Sequence, residues 1–192
     1  MTDALRVRVG FMRMFIQVVE QWPEPERSRL MAATAEVKRR VMEAPALGWI
    51  PGEINLDACD LLAEELGHER AKEHFRMLYR KVWTDAPFMA GFVQGIARMH
   101  RTPGGVFKYV RSGFPQIFKH FGTWTILSQD DHSLVARFSD VHPRCLANDG
   151  RWLDYVAASL ETIYEMFDRE GEVLVSDVDT ERRSAVFRFT WT

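Results

Sequence analysis

The segment His68-Glu-Arg-Ala-Lys-Glu-His74 contains residue types that bind metal ions. A zinc site on one helix needs its histidines at i and i+4, so that both imidazoles lie on the same face. These two histidines are six residues apart, which is about 240° around a helix, so their rings diverge. Glu65 and His68 have the spacing of half a di-iron site, but Gly67 lies between them and no second copy exists. The segment indicates a solvated charged helix face, and we predict no metal site.

Other residues with catalytic potential stand where backbone geometry explains them. Asp130-Asp-His132 falls in a predicted hairpin turn, where aspartate is common for backbone reasons. Asp149-Gly150 lacks the ligand series of an EF-hand and indicates a turn before a helix. The sequence contains no nucleophile elbow, P-loop or dinucleotide-binding glycine pattern. We predict no catalytic residues and no enzymatic activity; an enzyme whose Ser–His or Cys–His pair assembles in space is the alternative.

Residues 55–81 have the pattern of a helix-turn-helix, with one helix ending at Gly67 and a basic helix following. A recognition helix presents basic and amide side chains to DNA. The second helix carries Arg70, Lys72, Arg76, Arg80 and Lys81. However, Glu69 and Glu73 lie among them and would face phosphate. Two packed helices joined at a glycine are the favoured interpretation, so we predict no nucleic-acid partner and keep a DNA-binding regulator as the alternative.

The aromatic and methionine residues form a more suggestive pattern. Two consecutive predicted helices carry apolar stripes rich in these residues, and a tryptophan opens the strand that follows. Such stripes are ordinary core in most proteins, but small-molecule sites are also lined mainly by apolar and aromatic side chains. Methionine would let such a pocket adapt its shape. We predict an apolar ligand pocket between helices and sheet, with candidate ligand-binding residues Met89, Phe92, Met99, Phe107, Phe114 and Trp124.

The overall composition is that of an ordinary globular chain. Of its 192 residues, 46% are hydrophobic and 27% charged, and a net charge of −2 provides no global basic field for nucleic acid or anionic lipid. Cys59 and Cys145 have no metal-like spacing, and no signal peptide is visible at Met1-Thr-Asp-Ala. We therefore expect reduced thiols and a cytoplasmic protein. No apolar run approaches the roughly 18 residues that span a bilayer, so membrane insertion is not expected.

The first part of the chain predicts helices separated by proline and glycine. Trp22-Pro-Glu-Pro25 ends the first helix, and residues 44–54 predict a loop. Asn55 is predicted to cap the helix that follows, and Gly67 to end it. Gly113 and Pro115 predict a break in the last helix. The predicted helices cover residues 3–21, 26–43, 56–66, 68–83, 86–99 and 106–120.

The last part of the chain predicts a ββαββ unit. Period-2 alternation places Phe187, Phe189 and Trp191 on one face of the final strand. The predicted helix has an apolar stripe at helical spacing, which can cover one face of a four-stranded antiparallel sheet and in which Leu160 is a predicted core position. The stripe consists of Trp152, Val156, Ser159, Leu160, Ile163 and Phe167. The strands cover residues 123–128, 134–139, 172–176 and 184–191, and the helix residues 150–167. The predicted fold class is α+β in a single domain over residues 1–192, with a mainly helical part (1–121) packed on the ββαββ unit (122–192).

The stretch Phe118-Lys-His-Phe-Gly-Thr-Trp-Thr-Ile-Leu127 ends the aromatic helix and opens the first hairpin. An aromatic helix ending in His-Phe-Gly, a hairpin, a covering helix and a second hairpin are similar to the haem nitric-oxide-binding domain. The same superfamily contains vinyl-reductase-type ligand-binding domains and the small subunits of the TRAPP tethering complex. The resemblance covers residues 106–191 and implies an α+β ligand-binding fold.

Haem-binding members of this superfamily hold the haem propionates with a Tyr-x-Ser-x-Arg motif on the second strand. The corresponding residues here are Arg137, Ser139 and Val141, of which only the serine matches. Alignment on Gly122 places the haem-ligating histidine near Gly113, where no histidine stands, although a gap would leave His100 or His120 as ligands. Loss of both the axial ligand and the propionate clamp argues against haem. The resemblance therefore implies a member without haem or other cofactor that binds a small apolar ligand or a protein partner.

Together these observations predict a cytoplasmic, non-enzymatic ligand-sensing or protein-interaction domain. An exposed aromatic strand over 187–191 would leave an apolar edge or face that favours self-association, so a homodimer is expected. A haem-binding gas sensor, a helix-turn-helix regulator and a small-molecule enzyme are the alternatives.

Overall fold

The computed structural model of the chain describes residues 4–85, 95–96, 99–100 and 102–192. Helices dominate the first part, and antiparallel strands flank one long helix in the last part, as the α+β prediction requires. The elements are β1 (Arg6–Arg8), α1 (Val9–Val19), α2 (Glu26–Ala33), α3 (Ala35–Glu43), β2 (Trp49–Pro51), α4 (Glu53–Leu66), α5 (His68–Asp85), α6 (Pro103–Phe107), α7 (Val110–Ile117), β3 (Phe118–Lys119), β4 (Thr123–Gln129), β5 (Ser133–Ser139), α8 (Pro143–Glu165), β6 (Gly171–Asp179) and β7 (Ser184–Trp191). No helix within these described residues is long and apolar enough to cross a membrane.

The large sheet has the order β4-β5-β7-β6, and every pair in it is antiparallel. Phe187, Phe189 and Trp191 are buried on the face that packs against the helices, which confirms the predicted alternation. Strand β7 lies inside the sheet between β5 and β6. The idea that residues 187–191 form an exposed aromatic strand is therefore wrong, because the helices of the same chain cover them.

A second, three-stranded sheet with the order β2-β1-β3 was not predicted. Val7 pairs with Ile50 and with Phe118, so three short segments from distant parts of the chain meet. The predicted first helix therefore begins only at Val9, and the predicted loop over 44–54 contains β2 and the start of α4. Strands of two or three residues are too short to show an alternation pattern, so the sequence does not indicate them.

Two predicted helix boundaries are corrected by the structure. The predicted helix over 26–43 divides into α2 and α3 at Thr34, whose hydroxyl donates to the Leu30 carbonyl at 2.7 Å. The predicted break at Gly113 and Pro115 is also misplaced, because both residues lie inside α7 and the helices α6 and α7 are separated at residues 108–109. A serine or threonine bonding back to the carbonyl at i−4 is known to bend helices, which accounts for the first case.

Asn55 is not the predicted helix cap. Helix α4 begins at Glu53, so Asn55 lies within it and is buried. Its side-chain oxygen accepts a hydrogen bond from Trp152 Nε1 at 3.1 Å, which links α4 to α8. Gly67 does end α4 as predicted, with a φ of 79° that favours glycine.

Helix α8 lies against the inner face of the large sheet and is interrupted near its start. Residues 147–150 leave helical geometry, and Asn148, Asp149 and Gly150 all have positive φ. The predicted turn at Asp149-Gly150 is present, and the regular helix continues after it. The structure adds a short helical segment from Pro143 that the sequence pattern did not predict.

Candidate functional site

An apolar cleft lies between helix α5, the helix pair α6–α7 and the second half of α8. Its cavity volume is about 40 Å³, and it opens to solvent. Among the described residues it is lined by Tyr79, Trp83, Ile96, Val106, Tyr109, Val110, Gly113, Phe114, Ile117, Val156, Leu160 and Ile163. Hereafter this space is called the apolar cleft.

Helical periodicity explains why these residues meet. Helix α8 contributes Val156, Leu160 and Ile163 at i, i+4 and i+7, which form one stripe. Helix α7 contributes a similar stripe from Val110 to Ile117, and α5 adds Tyr79 and Trp83 one turn apart. Each stripe would cover the next if the helices packed tightly, so the cleft exists where three stripes converge without complete contact.

The polar atoms at the cleft are few and mostly satisfied. Trp83 Nε1 donates to Thr162 Oγ1 at 2.7 Å, and that hydroxyl donates to the Ser159 carbonyl at 2.6 Å. Burial raises the pKa of the Tyr79 phenol well above its usual value, so its hydroxyl stays neutral at physiological pH. No charged side chain is present among the described lining residues. An uncharged apolar molecule is the ligand that such walls accept, because a charged one would lose its hydration without compensation.

Of the six predicted ligand-binding residues, only Phe114 is among the described residues that line the apolar cleft. Phe114 lines the apolar cleft, whereas Met89 and Phe92 lie outside the described residues. Met99 is 70% exposed and is not part of the described lining. Phe107 and Trp124 are buried beside the cleft and do not line it.

Phe107 and Trp124 belong to the aromatic layer between the helices and the large sheet. The Phe107 ring lies 4.4 Å from the Phe189 ring and 5.4 Å from the Tyr164 ring, measured between centroids. Trp124 contacts the cleft residue Phe114 edge to face, with centroids 6.0 Å apart. Its indole Nε1 is buried and has no hydrogen-bond partner in the described part of the chain. Trp124 therefore supports the wall of the cleft from behind through Phe114, whereas Phe107 packs on Tyr164 and the large sheet.

Several lining residues were not identified from the sequence. Val156, Leu160 and Ile163 were assigned to the stripe that covers the sheet, which is correct but incomplete, because they also reach the cleft. The sequence does not indicate that Tyr79 and Tyr109 line a cleft, since a single tyrosine in an amphipathic helix is compatible with any half-buried position. Only their convergence in space marks them.

The described cleft residues do not supply an axial ligand for haem. The set contains no histidine or cysteine, and Gly113 stands where the resemblance places the ligand. The His100 ring packs against Gly105 and lies 5.7 Å from the Tyr109 ring, outside the described lining. His120 is exposed. Tyrosine binds haem iron as a phenolate, and the raised pKa of Tyr79 disfavours that form.

The propionate clamp of the haem-binding pattern is also absent from the cleft. Arg137 pairs with Thr125 and Val186 in the large sheet, and its side chain is exposed on the face away from the helices. The adjacent Phe138 is the residue that points inward and is fully buried. Because successive side chains alternate across a strand, Arg137 cannot reach the cleft from this register. The described residues therefore do not fit a haem that is held by an axial histidine and a Tyr-x-Ser-x-Arg propionate clamp.

The two histidines of the 68–74 segment lie in different environments. His68 Nε2 lies 3.2 Å from Asp154 Oδ2 at the surface, whereas His74 is completely buried. His74 Nδ1 accepts a hydrogen bond from Trp22 Nε1 at 3.1 Å. Desolvation lowers the pKa of His74 to about 3, so this imidazole is neutral. Across the described residues, no three His, Cys, Asp or Glu side chains come together in a metal-binding arrangement.

The cations of the proposed recognition helix are engaged within the chain. Arg70 forms an ion pair with Glu26 at 2.9 Å, and Arg80 forms one with Glu165 at 2.7 Å. Arg76 donates two hydrogen bonds to Glu161 of α8, at 2.9 and 3.0 Å. These side chains connect α5 to α2 and α8, so the geometry favours two packed helices over a DNA-reading helix.

Comparison with known proteins identifies the fold. No protein-family model and no curated protein matches the chain. Among solved structures, the unliganded Fe(II) H-NOX protein from K. algicida superposes with a TM-score of 0.67 at 9% identity, covering 96% of each chain. An oxygen-binding H-NOX domain related to soluble guanylate cyclases gives 0.65 at 10% identity, over 96% of this chain and 95% of that one. A point mutant of T. tengcongensis H-NOX gives 0.62 at 11% identity, over 96% and 97%.

These similarities show an H-NOX-like α+β fold over nearly the whole chain. The agreement extends to the N-terminal helices, beyond the residues 106–191 on which the resemblance was based. These structures are H-NOX proteins, and they lend no support to a similarity with the vinyl-reductase-type domains or the TRAPP subunits. At 9–11% identity the similarity concerns the fold alone.

Proposed function

We propose that this chain is a ligand-sensing domain that binds a small, uncharged, apolar molecule in the apolar cleft without haem. The observation that carries the proposal is the lining itself, which among the described residues is apolar or aromatic and contains no charge. Small-molecule sites have this character, with few polar groups to fix orientation. The H-NOX-like fold supports a sensing role, since the similar structures include an oxygen-binding domain.

The proposal also includes the absence of catalysis. No acid–base pair or activated nucleophile faces the cleft from the described residues, and general acid–base chemistry requires such a group within hydrogen-bond reach of the substrate. Binding that shifts a conformational equilibrium requires only a ligand with different affinities for the two states. A homodimer and a cytoplasmic location stay predictions from the sequence.

A titration with the neutral fluorescent dye N-phenyl-1-naphthylamine tests the cleft directly. We expect saturable binding of one dye per wild-type chain. Val110→Trp should weaken binding roughly tenfold or more, because the indole occupies the cleft and about 1.4 kcal/mol of lost contact is tenfold in affinity. Val135→Trp is the matched control, since Val135 is equally half-buried but lies on the outer face of the large sheet. Equal dye affinity in Val110→Trp and Val135→Trp would show that the dye does not bind in the apolar cleft.

A haem-binding gas sensor is the second candidate, because the H-NOX-like fold favours it. We expect protein purified from haem-replete cells to show no Soret band near one haem per chain. The reason is that Gly113, at the position of the axial ligand, has no side chain to bind iron, and Arg137, at the position of the propionate clamp, faces away from the cleft. A stoichiometric Soret band that disappears in His100→Ala or His120→Ala would establish the haem alternative.

A further inference from the structure

The solvent-facing side of the small sheet β2-β1-β3 gathers cationic side chains. Arg6 and Arg8 alternate with the buried Val7, so both project from the face opposite the core. Lys119 of β3 lies directly opposite Arg6 in the register. Like charges directly opposite each other destabilise a sheet. The pairing of Arg6 with Lys119 across the strands therefore does not itself stabilise the small sheet.

Trp49 holds two of these cations at the same face. The Arg8 guanidinium carbon lies 4.4 Å from the centroid of the Trp49 ring, and Lys119 Nζ lies 4.3 Å from it. Both distances are typical of cation–π attraction. The ring thus concentrates positive charge on one side of the small sheet.

Arg6 and Lys119 form no ion pair with an acidic side chain of the described chain. Arg8 is engaged within the chain, where it donates to the Gln116 and Leu47 carbonyls. Arg70 and Arg76 of α5, by contrast, are paired with Glu26 and Glu161. A local cationic surface therefore exists on a molecule whose net charge is −2.

A very exposed leucine adjoins the cations. Leu47 is 87% exposed and stands two residues before Trp49. Its backbone carbonyl accepts a hydrogen bond from Arg8 at 3.1 Å, which places it at the edge of the charged face. The turn is closed by Gly48, whose N–H donates to the Pro45 carbonyl at 2.8 Å. Leucine, tryptophan and basic side chains together are the composition of surfaces that adsorb to membrane interfaces.

We propose that this surface, formed by Arg6, Arg8, Leu47, Trp49 and Lys119, docks on anionic lipid headgroups. Arg6 and Lys119 would contact the headgroups while Leu47 enters the interface, and no segment would span the bilayer. A nucleic acid fits less well, because two cations already occupy the space over the Trp49 ring on which a base would stack. The proposal does not depend on a ligand in the apolar cleft.

Vesicle co-sedimentation tests this proposal. The probes are vesicles of phosphatidylcholine alone and vesicles of phosphatidylcholine with phosphatidylserine. We expect binding only to the vesicles that contain phosphatidylserine, and weaker binding as salt is added. The double variant Arg6→Gln, Lys119→Gln should bind about 25-fold more weakly, roughly fivefold for each cation lost. Leu47→Ser should weaken binding roughly tenfold, because a buried leucine side chain is exposed again to water.

Matched controls separate this surface from general charge and hydrophobicity. Arg182→Gln with Arg188→Gln removes the same charge from the β6–β7 turn and strand β7, and Leu174→Ser removes another exposed leucine, 51% accessible on β6. We expect both control proteins to bind like the wild type. Equal loss in the control pair, equal binding to both vesicle types, or no binding to either would overturn the proposal. Oligonucleotide binding that depends on Arg6 and Lys119 without vesicle binding would also overturn it.

Discussion

Phe121→Ala is expected to lower the free energy of unfolding by about 4–5 kcal/mol, near the upper end for phenylalanine truncation in a core. The Phe121 side chain is completely buried, and its ring lies 4.9 Å from the Phe118 ring and 5.2 Å from the Trp152 ring. It also fills the space beside Gly52, where an added Cβ would stand 2.7 Å from its ring. With rings and backbone on every side, the site has little freedom to collapse after truncation.

Phe114→Ala should cost less, about 3 kcal/mol or below. Its ring contacts those of Phe118, Trp124, Phe138 and Trp152, but it also lines the apolar cleft and there lacks part of the packing that truncation would remove. Urea melts of the two variants beside wild type measure the difference. Leu160, which the sequence marks as ordinary core, is unsuitable as the reference because it also lines the cleft.

The same pair of variants separates a ligand site from a merely loose core. Saturating N-phenyl-1-naphthylamine at about 100 times its dissociation constant should stabilise wild type by about 2.7 kcal/mol, through preferential binding to the folded state. In Phe121→Ala the folded protein should still gain this stabilisation from the dye. In Phe114→Ala most of the stabilisation by the dye should be lost. Equal destabilisation of both variants, with no dye effect in wild type, would mean that the cleft is ordinary core.

The second large effect is a loss of stability in mild acid that depends on His74. This imidazole has a pKa of about 3 in the folded protein, because burial disfavours the charged form, against about 6.5 in the unfolded chain. Between these values the unfolded state binds more protons, so stability is complete above about pH 6.5 and falls as the pH is lowered. The loss is about 1.4 kcal/mol per pH unit, or about 2 kcal/mol at pH 5.

The environment of His74 leaves no route to compensate the charge. Trp22 donates to Nδ1, and Nε2 is buried without a partner in the described structure. The rings of Phe15 and Phe75 pack around the imidazole, and the Arg70 guanidinium, which lies over Trp22, would repel the added charge further. Protonation would therefore place an uncompensated charge in an apolar core.

Urea melts at pH 7, 6 and 5 measure this effect, with His74→Gln as the matched variant. Glutamine retains an acceptor for Trp22 Nε1 and does not titrate. We expect the stability of wild type to fall by about 2 kcal/mol more than that of His74→Gln over this range. His142, whose pKa is also lowered by burial, contributes equally to both proteins and cancels in the comparison. Acidic groups with lowered pKa values, such as Glu24 and Asp130, act only at lower pH. Parallel pH profiles would contradict the prediction.

Local periodicity alone determined the large sheet and its covering helix. The alternation of Phe187, Phe189 and Trp191 defines the inner face of β7, because a strand has a period of two and only one face is apolar. The stripe containing Val156, Leu160 and Ile163 defines the sheet-covering helix for the same reason at a period of 3.6. Gly67 marked a helix end because a positive φ is most accessible to glycine. Each of these conclusions depends on residues near one another in the chain.

Only the tertiary structure decided the features that join distant segments. Asn55 has the sequence signature of a helix cap, but the distant Trp152 indole makes it a buried acceptor within α4. The small sheet pairs Val7 with Ile50 and Phe118, and no strand in it is long enough to show a period. The register of β5 turned Arg137 outward, since a shift of one residue exchanges the two faces of a strand. The apolar cleft arises where the stripes of α5, α7 and α8 converge, and a stripe by itself does not reveal whether its neighbour packs against it completely.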